Sequence, residues 1–446
     1  MNMPDLLDPV SAIARLLARR QRLATEVLQH MNLGPAALLD WQQTLLRATV
    51  QHALLHSPHY RRTLQGVGQA WLQGLCEFSE LPLTTREQLM DAYPFGMLAT
   101  AHEELVRFGE SSGTSTGRSL AAYFTADDWF TNNCAVAHHL QQVLSPQDVV
   151  AVAVPYELAG VGQDLDRALE LVGCTVVALG AVTPFCPSER MVQILRDARV
   201  TALVCSGTRA LHLAEVAQAQ GLNPAQDLGL RKLLCAGEGA SAAKRELLER
   251  TWNARVYPMY GMTETNTLAM CCPAQQLHLM QSRHFFEVLD PDSGLPVGEG
   301  QAGELVVSTL AARALPLLRY RTGDLVRLHS APCRCGRPTQ RIDHLGRLGD
   351  VLHVGTQRIS LLALEQTLLS CLDCAPYHYA VKPLQGTLLQ VGLTDNNLVT
   401  AVQARLRQAF EHQHGLTLEF VTIDRSKVDQ AVRQAVKPTM KSIYLD

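Results

Sequence analysis

The sequence predicts an α/β protein: parallel sheets flanked by helices, then a β-rich subdomain, then a small α+β unit at the C-terminal end. Three observations carry that expectation. From about residue 120, short β-branched runs alternate with helical segments, the pattern of βαβ units around a parallel sheet. From 283 to 346 the chain turns to strands separated by Gly, Pro and Asp. The remainder, 347–446, holds its own short strands and two helices and reads as a separate unit.

Along the chain, residues 1–80 read as helices broken by short loops. The opening MNMPDLLDPVSAIARLLARRQRLA is an amphipathic helix rather than a secretory signal, because its acidic residues precede its arginines. AALLDWQQTLLRATVQHALLHS repeats apolar residues at helical spacing. Residues 81–282 supply VVAVAVPY, TVVALG, VTALVCSG, RKLLCAGEGA and RVYPMYG as strands. Between them lie DLDRALELVG, SERMVQILRDAR, RALHLAEVAQAQ and SAAKRELLERTW as helices. In 283–346 the strands are HFFEVLDPDSG, AGELVVSTL and GDLVRLHS; DPDSG is a turn in which Pro fixes φ and Gly accepts a positive one. In 347–446, VLHVG, HYAVKPL and TLLQVGL are strands, and SLLALEQTLLSCL and LVTAVQARLRQAFEHQ are helices.

A chain of 446 residues with 47% hydrophobic content can bury a large core and divide into two or three domains. Charged residues are 18% and the formal net charge is -3, with no long Lys/Arg run, so no nucleic-acid partner is expected. No apolar run is long enough to span a bilayer, and no membrane association is expected. Most of the twelve cysteines stand singly in apolar stretches such as GLCEF, LVGCTVV, LVCSG and KLLCAG. There a thiol acts as a small hydrophobe, which fits a reducing, cytoplasmic location better than a disulfide framework.

Five segments carry chemistry. Gly109–Arg118, GESSGTSTGR, is a loop whose small and hydroxylic residues let backbone N–H groups approach a polyphosphate; it lacks the Gly-Lys-Ser/Thr ending of a Walker sequence. Tyr260-Gly261-Met262-Thr263-Glu264 follows a predicted strand. Its ring can stack on a purine, and its hydroxyl and carboxylate can hold phosphate and Mg²⁺. The alternative for that stretch is a strand-end loop leading into a capped helix. In Arg319-Tyr320-Arg321-Thr322-Gly323-Asp324, one carboxylate after a Gly turn can accept from two ribose hydroxyls. Gly346-Arg347-Leu348-Gly349-Asp350 marks a domain junction, and Lys441 lies near the C-terminus in PTMKSIYLD.

The order and spacing of SSGTSTG, YGMTE, DPDSGLPVGEGQAGELVVSTL with LPLLRYRTGDL, and CRCGRPTQRIDHLGR resemble the acyl-adenylate-forming enzymes of the ANL superfamily, in the branch of phenylacetate–CoA ligase. The resemblance runs through most of the chain and implies a large N-terminal adenylation domain, 1–346, and a small mobile C-terminal lid, 347–446. The N-terminal part would comprise a helical segment 1–80, an ATP- and acyl-binding core 81–282 and a β-rich subdomain 283–346. It implies that Ser112, Gly113, Thr114, Ser115, Thr116 and Gly117 close over the β- and γ-phosphates of ATP, although this loop carries one residue more than the usual pattern and has Arg118-Ser119 where Lys-Pro is common. Glu238 matches a segment lining the nucleotide and acyl pocket, with Gly239 in place of proline. Tyr260, with Gly261 and Met262, would stack on adenine; Thr263 would touch the α-phosphate; and Glu264 would help hold magnesium. Asp324 would bind the ribose hydroxyls and Arg347 the ribose or phosphate. Gly349 and Asp350 take the place of the hinge. Lys441 would be the catalytic lysine, with Lys437 as a competitor.

The implied reaction activates a carboxylic acid, aryl or another small acid, with ATP as acyl-AMP. The acyl group then passes to a thiol of coenzyme A or of carrier-protein phosphopantetheine, releasing AMP and pyrophosphate. An amine acceptor and a catalytically silent, zinc-stabilised relative are the alternatives. A homodimer is in keeping with the branch. Cys271 or Cys272, with His278, Cys333 and Cys335, brings soft ligands from two loops and suits a closed tetrahedral zinc site. Relatives with a similar set place a Cys seven residues before the His, which favours Cys271 and leaves Cys272 as the other choice.

Overall fold

The computed structural model describes residues 9–111, 118–372, 378–394, 399–424 and 426. Helices Pro9–Met31, Pro35–His56 and Pro58–Thr63 each open on proline, whose fixed φ suits a first helical position and whose missing N–H costs nothing there. Strands β1 (Leu105–Glu110) and β2 (Ala121–Thr125) pair antiparallel on either side of the Ser/Thr/Gly loop. Next along the chain come β3 (Val149–Val152), β4 (Thr175–Ala178), β5 (Ala202–Cys205), β6 (Lys232–Cys235) and β7 (Arg255–Met262). They are followed by β8 (Asn266–Cys271), β9 (Leu277–Leu279), β10 (His284–Leu289), β11 (Ala302–Thr309), β12 (Tyr320–His329) and β13 (Arg341–Arg347).

These last eleven strands form one sheet, in the order β10-β11-β12-β13-β9-β8-β7-β6-β5-β3-β4. Neighbours from β4 to β7 are parallel, and from β7 onward every neighbour is antiparallel. The parallel strands and the β-rich stretch predicted from sequence are therefore two halves of one sheet, joined by β8 and β9: β7 turns tightly into β8, and β9 pairs with β13. Strand β5 is buried at all four positions, as expected for a parallel strand covered by helices on both faces. The helices start on capping side chains. Ser206 and Ser241 accept backbone N–H groups of the next turn, and Thr85/Gln88 and Thr125/Asp128 form reciprocal capping boxes.

Beyond Arg347 lie a ribbon of β14 (Val351–Val354) and β15 (Gln357–Ser360), and a three-stranded sheet of β16 (Tyr379–Pro383), β17 (Leu388–Leu393) and β18 (Thr417–Thr422). Helices Leu361–Cys371 and Thr400–His414 complete this unit. Its Leu364, Leu368 and Phe410 belong to the same apolar cluster as Leu213, Leu248 and Trp252 of the helices covering the parallel strands. His378 adds a 2.7 Å contact between its Nε2 and Glu215 Oε1. No described helix is long and apolar enough to cross a membrane.

Candidate active site

In open α/β sheets, ligands bind beyond the C-terminal ends of the parallel strands. β7 is the last parallel strand, and its C-terminal end carries Tyr260, Gly261 and Met262. The chain then turns through 263–265 straight into β8, so the stretch is a β-hairpin and not the entry to a capped helix. Gly261 is obligatory in that hairpin: a Cβ there would stand 2.4 Å from the Asn266 carbonyl oxygen.

Asp324 on β12 and Arg347 on β13 are direct register partners. Tyr260 Oη donates to Asp324 Oδ2 at 2.8 Å, and Arg347 Nε donates to Oδ1 at 3.1 Å. Three separated sequence motifs thus meet on one carboxylate. His344, which lies in none of the five sequence segments, completes the cluster: its Nε2 lies 3.4 Å from Asp324 Oδ1, and its ring centroid is 5.2 Å from that of Tyr260. Asp324 is buried, which pushes its carboxyl up, yet the hydrogen bond with His344 and the charge of Arg347 hold it below the usual range. Burial and the Asp324 charge drive the Tyr260 phenol well up, so it stays a proton donor. An ionised carboxylate beside a ring is chemistry for a nucleoside: acceptor oxygens for ribose hydroxyls and a π-face for a base.

Glu264 is buried, and its Oε1 accepts from Tyr320 Oη at 2.6 Å and pairs with Arg86 Nη1 at 3.4 Å. Arg86 Nη2 also reaches Ser111 Oγ at 3.5 Å, at the threshold of the Ser/Thr/Gly loop. Arg86 sits at the first position of helix Arg86–Asp91, where the helix dipole disfavours a cation. That misplaced charge was the signal for a tertiary partner. Thr263 lies half-buried in the hairpin turn. The carboxylate of Glu238 is engaged: it accepts from Thr208 N at 2.6 Å and Thr208 Oγ1 at 3.0 Å, and pairs with Lys244 Nζ at 3.0 Å. Gly349 and Asp350 lie in the turn between β13 and β14. Ser112, Gly113, Thr114, Ser115, Thr116, Gly117, Lys437 and Lys441 lie outside the described residues.

Beyond the ends of β3, β5 and β6, within the expected ATP- and acyl-binding core 81–282, stand Tyr156, Ser206 and Ala236. The Tyr156 hydroxyl donates to Asp166 Oδ1 at 3.1 Å. On helix Val161–Val172, Asp164 is buried and accepts from Asn132 Nδ2 at 2.8 Å and from Asn133; burial pushes its carboxyl up to about 7. A folded value above the unfolded one means that the folded chain holds this proton more tightly. The resulting stabilisation is complete below the unfolded carboxyl range and is lost as pH rises through about 7. Asp164→Asn is accordingly expected to melt higher than the parent at pH 8 and to flatten the melting-temperature profile between pH 5 and 8. Thermal melts across that range check this.

The Cys/His residues gather as Cys272, His278, Cys333 and Cys335, whose ligand atoms all lie within 4.8 Å of one another. Cys271 is not among them. Met270 on β8 is the register partner of His278 on β9, and strand side chains alternate faces, so Cys272 shares their face and Cys271 points into the core. The seven-residue spacing points to Cys271, whereas the register of β8 against β9 brings Cys272, the other choice, to the cluster. Cys272 Sγ is 3.9 Å from Cys333 Sγ, and Cys335 Sγ is 3.3 Å from His278 Nε2. A tetrahedral zinc with Zn–S bonds of about 2.3 Å sets its sulfurs about 3.8 Å apart, so the set fits such an ion. His278 Nδ1 is pinned 3.1 Å from the Thr339 carbonyl oxygen, which turns Nε2 toward the sulfurs. Burial lowers this imidazole to about 4, which keeps it neutral and able to ligate at neutral pH.

A family model described as AMP-binding enzyme matches residues 110–311. The phenylacetate–coenzyme A ligase of Thermus thermophilus is 32% identical over 356 residues, covering 78% of each chain. Among solved structures, a 2-hydroxyisobutyryl-CoA ligase in its postadenylation state with the acyl-AMP overlays with a TM-score of 0.77 at 22% identity, covering 92% of this chain and 94% of that one. The same ligase in its thioesterification state, with acyl-AMP and CoA, overlays with 0.66 at 22% identity, covering 89% of each.

Proposed function

The chain belongs to the phenylacetate–coenzyme A ligase family of AMP-binding enzymes, and from that premise we infer how its residues divide the work of an AMP-forming acid–CoA ligase. The enzyme activates a carboxylic acid with ATP as acyl-AMP and then forms the CoA thioester. The observation that carries the assignment of roles is the convergence of Tyr260, Asp324 and Arg347 on one carboxylate at the end of the parallel strands.

Asp324 receives the ribose hydroxyls, Tyr260 and His344 offer ring faces to adenine, and Arg347 steadies the ribose or phosphate. The loop 112–117 and Thr263 hold the phosphates, with Arg86 beside them at Ser111. Glu264 would hold magnesium, which when bound neutralises charge on the phosphates. The acid carboxylate attacks the α-phosphorus in line with the departing pyrophosphate. The protein's part is to fix the reactants in that line and to stabilise the charge that develops, for which Lys441 is the candidate. The CoA thiol then attacks the acyl carbon, and AMP leaves. Cys272, His278, Cys333 and Cys335 would hold a structural zinc ion. An aryl or arylacetic acid suits a wall built on the Tyr156 ring and Ala236, with the charge of Glu238 already committed.

Acid-dependent ATP–pyrophosphate exchange across aryl, arylacetic, amino and short aliphatic acids tests this. Exchange is expected with phenylacetate or a close aryl acid. Strong exchange with amino or short aliphatic acids alone would reject the aryl pocket, and no exchange with any acid would reject the ligase.

A further inference from the structure

Lys244 is fully buried, yet its ammonium has three partners from three segments. Nζ lies 3.0 Å from Glu238 Oε1, 2.9 Å from Thr208 Oγ1 and 3.1 Å from Glu365 Oε1. Glu238 follows the end of β6, at the expected acyl and nucleotide pocket. Glu365 belongs to helix Leu361–Cys371, beyond the β13–β14 junction. Its Oε2 also accepts the Ser241 N–H at 3.1 Å, at the start of the helix that carries Lys244. Gly207 makes room for the assembly: a Cβ there would stand 3.2 Å from Lys244 Cε and 3.3 Å from Glu238 Oε1. Burial alone would lower the lysine, but the two carboxylates outweigh it and hold the ammonium above its usual range.

We propose that Lys244 is a positioning residue for the ligase cycle, a shared buried ammonium that latches Glu365 of the C-terminal unit to Glu238 at the pocket and so ties the placement of one to that of the other. The latch rests on the ligase assignment above for its catalytic meaning. Its geometry suits reversible release. In a buried charged triad, desolvation nearly cancels attraction. Withdrawal of Glu365 therefore leaves a neutral Lys244–Glu238 pair with Thr208 still bonded, while the departing carboxylate gains water. The arrangement of this chain is nearer to the postadenylation form of the 2-hydroxyisobutyryl ligase than to its thioesterification form. The latch is accordingly placed before thioester formation, a placement the half-reactions below test.

The two half-reactions separate this role from a merely structural one. In Glu365→Gln, phenylacetate-dependent pyrophosphate exchange is expected to fall about tenfold, in the ordinary range of coupling between sites. CoA thioester formation from supplied phenylacetyl-AMP is expected to be unchanged or faster. Dyes on exposed positions of the core and the C-terminal unit should report, by energy transfer in the unliganded full chain, a second population of distances. Gln366→Ala removes the Ala243 N–H contact from the same interface without touching the lysine, and should alter neither reaction by more than about twofold. Glu365→Asp, which keeps the charge but shortens its reach, repeats the test if the amide destabilises the chain. Equal loss of both half-reactions, or an unchanged distance distribution, would overturn the latch. A parent enzyme inactive in both half-reactions would reject the ligase assignment instead, with the distance measurement still deciding whether Glu365 holds the unit in place.

Discussion

Replacing Lys441 by alanine is expected to lower acid-dependent ATP–pyrophosphate exchange by about 10²–10³-fold, the range seen when one donor to a developing oxyanion is removed. Attack of a carboxylate on the α-phosphorus brings an anion onto a phosphate that is already negative. The equatorial oxygens carry most of the charge at the top of the barrier. The cationic residues described near the nucleotide cluster are otherwise occupied: Arg347 on Asp324, and Arg86 on Glu264 and Ser111. An ammonium from the C-terminal segment would supply what they do not. Because it serves the first step, thioester formation from supplied acyl-AMP and CoA should change by less than about tenfold in the same variant. Lys437→Ala is the control. If Lys437→Ala abolishes exchange and Lys441→Ala keeps it, the catalytic role passes to Lys437.

Much of the fold was legible because its signals are local. The β-branched runs of β3 to β7 and the helices between them follow from periodicity alone. The site was legible by another route: Tyr260, Asp324 and Arg347 lie in separate motifs, and only their order along the chain suggested that they meet. What escaped depends on long-range geometry. TETN after Met262 has the composition of a helix cap, yet Asn266 takes a left-handed φ of +58° and the chain folds back as β8. The joining of the parallel and β-rich regions into one sheet needs that turn and the pairing of β9 with β13. His344, Arg86 and Tyr320 matter through Asp324 and Glu264, 20 to 178 residues away, and Lys244 joins its near neighbour Glu238 to Glu365, 121 residues on; no local window contains the distant pairs. The choice of Cys272 over Cys271 likewise needed the register of β8 against β9.

The same register makes the metal cluster the place where one atom should matter most to stability. Cys333→Ser is expected to purify without zinc and to lose roughly 3–5 kcal/mol, about 3–5 °C in melting temperature for a chain of this length, because a metal held only by the folded chain lends its binding free energy to folding. Cys272 opens the β8–β9 turn and His278 follows it on β9, while Cys333 and Cys335 come from the loop between β12 and β13. A zinc ion would therefore tie together two loops 61 residues apart in sequence, on the edge where β9 pairs with β13. Cys272→Ser should behave as Cys333→Ser does. Cys271→Ser, one residue away but facing the core, should keep its metal and change stability only through lost packing. Elemental analysis of protein purified without chelator, read beside thermal melts, decides between these outcomes. Zinc retained by Cys272→Ser and lost by Cys271→Ser would reverse the assignment. A parent protein free of zinc would reduce the cluster to four packed side chains, and Cys333→Ser would then cost no more than an ordinary buried substitution, about 1 kcal/mol.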